Sequence, residues 1–115
     1  MKFLIVDDNE PMRETLRKMV AQENDEIMEC NDGGDAPGIY EQFHPDWVVM
    51  DVVMKDVGGL EATERIVALD PHARVIMISS YTDRFFQEAA KKAGARAFVS
   101  KENLSELKSM TRSIT

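Results

Sequence analysis

Five short apolar runs, each followed by a segment with helical spacing, constrain the fold of this chain more than any other feature. The runs are KFLIV, EIMEC, WVVM, RVIMIS and RAFVS. Several of them are apolar almost throughout, which is typical of strands that are covered on both faces. Strands that alternate with helices predict an α/β architecture in which helices pack on both faces of a parallel sheet.

The intervening segments predict five helices. Their expected bounds are Pro11 to Asn24, Asp35 to Phe43, Gly59 to Leu69, Asp83 to Ala93, and from near Glu102 onward. The third is expected to end before Pro71 and the fourth at Gly94, since proline and glycine commonly follow helix ends. Apolar stripes are predicted on the first helix (Met12, Leu16, Met19, Val20) and on the fifth (Leu104, Leu107, Thr111, Ile114).

This element order predicts a doubly wound, five-stranded parallel sheet, because crossovers between parallel strands are right-handed. At this size a flavodoxin-like strand order of 2-1-3-4-5 is the common solution, although periodicity alone does not determine the order. A chain of 115 residues accommodates one domain, residues 1–115, and leaves no room for an output domain.

Charge and hydropathy exclude several classes of function. The net charge of −7 opposes unspecific attraction to nucleic acid or to anionic lipid. No apolar run approaches the roughly 20 residues of a spanning helix, and the opening MKFLIVDDNE is too short in apolar residues for a signal peptide. A cytoplasmic location is therefore expected. Lone Cys30 is expected to be a small buried side chain.

Polar side chains follow four of the five predicted strands, at the point where each strand ends. Asp7 and Asp8 end the first strand and Asp51 the third, while Ser79 with Ser80, and Ser100 with Lys101, end the fourth and fifth. Because the carboxyl ends of parallel strands share one edge of a sheet, where such sheets bind their ligands, these groups are expected to lie together.

Three neighbouring carboxylates repel one another unless one takes up a proton or a cation neutralises the site. Mg²⁺ suits such a site, since it prefers oxygen ligands and typically uses one or two carboxylates together with phosphate oxygens. A further aspartate can then act as a nucleophile toward phosphorus. Lys101 and Ser79 are of the right type to contact the phosphoryl oxygens.

The segments LIVDDNE, VVMDVVMKDVGGLEA, VIMISSYTD and AFVSKENL resemble, in order and spacing, the four signature segments of the response-regulator receiver family. This resemblance implies that Asp51 is the phosphoacceptor and that Asp7, Asp8, Asp51 and the backbone carbonyl of Val53 hold Mg²⁺. It also implies that Lys101 binds phosphate, that Ser79 is the switch hydroxyl and that Phe98 is the aromatic switch residue.

The resemblance implies a phosphorylation-dependent signalling switch of a two-component system rather than an enzyme. A histidine kinase or phosphotransfer protein would supply the phosphoryl group, and the face of the fourth helix, fifth strand and fifth helix would change. That face would serve an output domain, an effector protein or a homodimer. No contact with nucleic acid or membrane is implied for this domain.

Two residues depart from the usual pattern of the family. Lys55 stands after Met54 where the family usually has proline, so the loop past Asp51 loses a fixed φ and gains a charge. Glu102 replaces the proline that often follows the lysine of the fifth strand, which predicts a trans peptide bond there.

Simpler interpretations exist for individual site residues. Asp7 and Asp8 could cap the first helix, Ser79 could bond only to backbone with Ser80 in its role, Lys101 could be a surface lysine, and Phe98 an ordinary aromatic.

Three alternatives exist for the whole domain. One is an interaction module without phosphorylation. A second is an aspartate-nucleophile phosphatase, which Val53 disfavours because that class needs a second aspartate two residues after the first. The third is a flavin-binding protein, which would need a loop rich in Ser, Thr or Gly after the first strand, where this chain has DDNEPMR.

Overall fold

A computed structural model of the protein describes residues 1–112. The strands are β1 (Lys2–Val6), β2 (Glu26–Cys30), β3 (Trp47–Asp51), β4 (Val75–Ser79) and β5 (Ala97–Ser100). The helices are α1 (Glu10–Val20), α2 (Ala36–Phe43), α3 (Gly59–Leu69), α4 (Arg84–Ala93) and α5 (Glu106–Arg112), and a 3₁₀ turn spans Lys101–Asn103. The predicted strands are confirmed to within one residue at each end.

The five strands form one parallel sheet in the order β2-β1-β3-β4-β5, which confirms the doubly wound, flavodoxin-like prediction. Strands β3 and β4 are buried along their whole length, in agreement with their nearly continuous apolar sequences. The sheet therefore has one edge formed by strand carboxyl ends, and the loops after β1, β3, β4 and β5 lie along that edge.

The core has two parts, one on each face of the sheet, because successive side chains of a strand point to opposite faces. Leu4, Met50 and Met77 contribute to a cluster with α2, α3 and α4. Phe3, Val49 and Ile76 contribute to a second cluster with α1 and α5. Both faces are covered, so the strands are held firmly and their ends have a fixed position.

Helix α1 is shorter than predicted: it ends at Val20 rather than at Asn24. The carboxylate of Asp25 accepts a hydrogen bond from the Gln22 backbone at 2.8 Å, and Asn24 has a positive φ of 73°, so the chain turns there instead of continuing as a helix. Met19, predicted for the buried stripe, is 37% exposed, while Leu16 and Val20 are fully buried.

Helix α5 begins at Glu106, not near Glu102 as predicted. The hydroxyl of Ser100 accepts a hydrogen bond from the Glu102 backbone at 3.1 Å and starts the 3₁₀ turn that precedes the helix. Leu107 and Thr111 are buried as the predicted stripe requires, whereas Ile114 lies outside the described residues.

Three smaller expectations concern Cys30, the bond before Glu102 and membrane spans. Cys30 is a buried free thiol, as expected. Within residues 1–112 no peptide bond is cis, so the bond before Glu102 is trans. None of the helices in this described part combines the length and the apolar character that crossing a membrane requires.

Candidate functional site

The register of the sheet brings the predicted site residues together at its carboxyl edge. Val6 is paired with Met50, so Asp7 emerges beside Asp51. Strand β4 extends one residue further, to Ser79, and Ser79 is paired with Ser100, after which Lys101 leaves β5. Residues far apart in sequence thus meet because apolar strands of similar length end at the same level.

Asp7, Asp8 and Asp51 form a carboxylate cluster in which one oxygen from each lies within 4.8 Å of the others. Asp7 and Asp51 are only 0% and 5% exposed, while Asp8 is more open to solvent. Buried aspartates without compensating partners are rare because removing the charge from water is costly. The burial of these carboxylates therefore lowers the stability of the folded protein.

Lys101 reaches into this cluster from the end of β5. Its Nζ lies 3.2 Å from Oδ1 of Asp51 and 3.7 Å from Oδ2 of Asp7. The lysine side chain is only 20% exposed, so the alternative that it is an ordinary surface lysine is not supported by its position. One ammonium faces two buried carboxylates, which leaves negative charge to be neutralised.

Burial and mutual repulsion disfavour the charged forms of the two buried aspartates. Burial raises the pKa of the Asp51 carboxyl to about 6; the charge of Asp7 adds to this effect and Lys101 opposes it. Burial also raises the pKa of Asp7, against the opposing hydrogen bond from the Asn9 backbone and the charge of Lys101. A cation bound between these groups would hold both in the ionised form.

The donor set fits a hard divalent cation. Oδ2 of Asp7 is buried and has no hydrogen-bond partner within residues 1–112, so it is available as a ligand. Oxygen donors from carboxylates and carbonyls are the ligands that Mg²⁺ and Ca²⁺ prefer. The residues that could hold the ion are Asp7, Asp8 and Asp51, and the predicted carbonyl of Val53 follows Asp51 in the adjoining loop, where the Val53 side chain is 50% exposed.

The loop between β3 and α3 closes tightly over the backbone of Asp51. The Gly59 N–H donates to the carbonyl of Val52 at 2.9 Å, and a Cβ at Gly59 would lie only 1.9 Å from the carbonyl oxygen of Asp51. Only glycine permits this approach. The start of α3 is thereby fixed against the residue that carries the central carboxylate.

Backbone contacts orient the acidic pair, and they differ from the helix-cap alternative. The cap of α1 is Asn9, whose side chain accepts from the Met12 backbone at 2.9 Å. Oδ1 of Asp7 accepts the Asn9 N–H at 2.9 Å, and Oδ2 of Asp8 accepts the Lys55 N–H at 3.0 Å. Asp7 and Asp8 are therefore held by loop backbone and do not cap the helix.

Sequence reasoning missed two groups that support the acidic pair. The guanidinium of Arg13 donates to the carbonyl oxygen of Asp7 at 2.8 Å, and the backbone of Lys55 reaches Asp8 across 47 positions of sequence. Arg13 could have been noticed because it stands four residues after the capping Asn9. The Lys55 contact had no signal in the sequence, since any residue except proline offers the same N–H.

Ser79 is buried at the end of β4 and its hydroxyl accepts a hydrogen bond from the Tyr81 backbone at 2.8 Å. This is the backbone contact that the simpler interpretation of Ser79 predicted, and Ser80 is exposed. Phe98 is half-buried against the cluster under α2, α3 and α4, and it lines a groove of about 600 Å³ between α4 and β5. The geometry places both residues near the edge and leaves their switch roles as predictions.

Known proteins are similar to this chain in sequence and in architecture. The family model for the response regulator receiver domain matches residues 3–112. The chemotaxis protein CheY of Halobacterium salinarum is 38% identical over 100 residues, which cover 87% of this chain and 83% of that protein. The solved response regulator domain of Thermotoga maritima CheB has a TM-score of 0.87 at 28% identity, and the match covers 98% of this chain and 94% of that one.

A second solved structure, the CheX-CheY-BeF3-Mg²⁺ complex from Borrelia burgdorferi, has a TM-score of 0.85 at 27% identity, with 93% of this chain and 83% of that one covered. The family match spans nearly all of the described residues, and the carboxylate cluster lies within it. The chain therefore belongs to the response regulator receiver domain family.

Proposed function

We propose that this receiver domain is a phosphorylation-dependent switch of a two-component system, with Asp51 as the phosphoacceptor. The observation that carries the proposal is the position of the Asp51 carboxylate, buried at a strand end, 3.2 Å from the Lys101 ammonium and beside two further aspartates. This arrangement concentrates a nucleophile and a positive charge where a phosphoryl group can enter from solvent.

In the proposed reaction, a carboxylate oxygen of Asp51 attacks the phosphorus of a kinase phosphohistidine. The new P–O bond forms an acyl phosphate while the P–N bond breaks, and the released imidazole takes up a proton. Lys101 keeps its contact with the carboxylate and donates to the phosphoryl oxygens. Asp7, Asp8, Asp51 and the Val53 carbonyl would hold Mg²⁺, which would supply the neutralising charge that phosphoryl transfer requires.

Ser79 and Phe98 are proposed to pass the change on to the surface. The Ser79 hydroxyl, now an acceptor from the Tyr81 backbone, would turn to donate to the phosphoryl group. Phe98 would then move inward and alter the groove between α4 and β5 that it lines. A local charge thereby biases a two-state element, which is how such modifications act at a distance.

The proposed partners are a histidine kinase or phosphotransfer protein as donor, and an effector protein or output domain as receiver of the signal. The Borrelia burgdorferi relative was solved with BeF3, Mg²⁺ and CheX, which supports an equivalent site and an equivalent kind of partner here. A pairing of two copies through α4, β5 and α5 is a further arrangement that this proposal allows.

The test is the intact mass of the protein after incubation with a small acyl phosphate, with and without Mg²⁺. We expect the native protein to gain one phosphoryl group only when Mg²⁺ is present. Asp51→Asn should gain none, because the amide is not a nucleophile toward phosphorus.

Asp56→Asn is the matched control, since Asp56 is an exposed aspartate in the same loop. It should be phosphorylated like the native protein. Modification that persists in Asp51→Asn, or that needs no divalent cation, would contradict the assignment of Asp51 and its metal.

A further inference from the structure

The loop that joins β3 to α3, residues 52–58, contacts the carboxylate cluster at Asp8. The backbone N–H of Lys55 donates to Oδ2 of Asp8 at 3.0 Å. This hydrogen bond links the end of β1 to the middle of the loop that follows β3. Within residues 1–112, it is the one hydrogen bond that the Asp8 side chain makes.

Contacts on both sides fix the position of the Lys55 backbone. Met54, just before it, is buried among core residues, with 9% of its surface exposed. At the far end of the loop, the Gly59 N–H is bonded to the Val52 carbonyl, and the Val57 carbonyl lies against Gly33. The backbone around Lys55 is therefore held in place with its N–H directed at Asp8, while the Lys55 side chain is exposed.

Asp8 needs such a contact more than its two neighbours do. Asp7 is buried and accepts from the Asn9 backbone, and Asp51 is buried and paired with Lys101. Asp8 is the open member of the cluster, so a free side chain there would have to give up rotamer freedom on binding a cation. The Lys55 N–H engages one oxygen of this carboxylate, Oδ2, and Asp8 still offers a ligand oxygen to the cluster.

We propose that the backbone N–H of Lys55 is a positioning group for Asp8, which orients this carboxylate as a cation ligand and couples cation binding to the β3–α3 loop. This inference rests on the proposed function, because it concerns the same cation. The group acts through the backbone, so it depends on the residue at position 55 not being proline, which has no N–H to donate.

Two variants at one position separate the backbone from the side chain. Lys55→Pro removes the N–H, and Lys55→Ala keeps the N–H while removing the charge. Calorimetric titration with Mg²⁺ alone should show affinity weakened about tenfold or more in Lys55→Pro, since partners that orient metal ligands commonly contribute that much. Lys55→Ala should bind Mg²⁺ at least as well as the native protein.

Amide hydrogen exchange on the native protein gives a second readout that needs no variant. Coupling between two events is reciprocal, so a cation that benefits from the hydrogen bond must strengthen it in return. Exchange of the Lys55 amide should slow on adding Mg²⁺. In Asp8→Ala, which leaves this amide without its acceptor, exchange should be faster and should not respond to Mg²⁺.

The outcomes distinguish this inference from the proposed function. A native protein that binds no Mg²⁺ would overturn the metal site itself and the inference with it. Normal Mg²⁺ binding with equal affinity in Lys55→Pro, or faster exchange of the Lys55 amide with Mg²⁺, would overturn the inference alone. If Lys55→Pro fails to fold, the exchange measurement on the native protein decides.

Discussion

Asp51 illustrates how a single buried charge can lower the stability of the folded protein. Its carboxylate occupies a buried position at the end of a strand whose other four residues are apolar and buried. Lys101 compensates only part of the cost, because the pKa of Asp51 still rises to about 6 through burial and the charge of Asp7. The ionised form that the proposed phosphoryl transfer needs is thus the form that the fold disfavours.

Asp51→Asn should therefore stabilise the metal-free protein at neutral pH. The folded-state pKa of about 6 is above the ordinary value of 3.8, so the folded state binds this proton more tightly than the unfolded state does. The cost of the charge is fully present above pH 6 and vanishes as the pH falls toward 4. We expect a gain on the order of 1–2 kcal/mol in urea unfolding at pH 7, reduced because the lysine loses an ion pair.

The same comparison at pH 4 provides the control, since both side chains are then neutral and the two proteins should be similarly stable. A gain at pH 7 that persists undiminished at pH 4 would show that Asn stabilises for another reason. A loss of stability at pH 7 would show that the Lys101 pair outweighs the cost of burial.

Val53 and Tyr81 should control how long the phosphoryl group lasts. Each stands two residues past a site residue, and their side chains are 50% and 57% exposed. From this spacing we expect the two bulky groups to hinder water approaching Asp51, so dephosphorylation should be slow. Val53→Asn combined with Tyr81→Ala should shorten the lifetime, measured as the decay of the phosphorylated mass after the donor is removed. Unchanged decay would contradict the shielding, and Leu69→Ala, an exposed apolar residue on α3, serves as the control.

At the scale of elements, the sequence predicted whatever depended on local pattern. Helix α3 has the predicted bounds, Gly59–Leu69. Helix α4 begins one residue later than predicted, because Asp83 is its N-cap, and it ends at Gly94 as predicted. The predicted end of α1, at Asn24, was wrong because the chain turns at Asp25. The Asp25 carboxylate is held by Arg112 of α5, a partner 87 positions away in sequence. Periodicity carries no information about such a contact.

The candidate site was predictable in its membership and less so in its detail. Strand ends gave Asp7, Asp8, Asp51, Ser79 and Lys101, because hydrophobic runs of similar length end at one edge. The direction of the Ser79 hydroxyl and the hydrogen bond from Lys55 to Asp8 depend on loop backbone. Loop conformation follows from tertiary packing, so these contacts required the structure.

Gly59→Ala should destabilise the joint between β3 and α3. The added Cβ would meet the Asp51 carbonyl at 1.9 Å, and backbone cannot withdraw as a flexible side chain can. We expect a loss of about 2 kcal/mol or more in chemical unfolding. Phosphorylation of the variant should also slow, since the displaced backbone belongs to Asp51, the proposed acceptor.

Gly38→Ala is the matched control for this element. It lies on the exposed side of α2, and a Cβ there meets nothing within 4 Å. Alanine loses less conformational freedom than glycine on entering a helix, so this variant should gain about 0.5 kcal/mol. A destabilised Gly38→Ala, or a neutral Gly59→Ala, would contradict the account of these two positions.

For the whole molecule, a cation that binds only the folded state adds to its stability. Mg²⁺ at ten times its dissociation constant should raise the free energy of unfolding by about 1.4 kcal/mol. Thermal unfolding in Mg²⁺ and in NaCl of equal ionic strength separates this effect from screening of the net charge of −7. Asp8→Ala should lose most of the Mg²⁺-specific gain, and an equal shift with both salts would show screening alone.

The sheet ends on one side at β2, and this strand protects the molecule from edge-to-edge aggregation. Its sequence places Glu26 and Glu29 among only five residues, and Glu29 is held by Arg13 and Arg17 of α1 at 3.0 and 2.9 Å. A second copy laid along this edge would bring like charges together and disturb those ion pairs, which is how soluble proteins discourage unwanted strand addition. The charges of β2 therefore oppose growth of the sheet into larger assemblies.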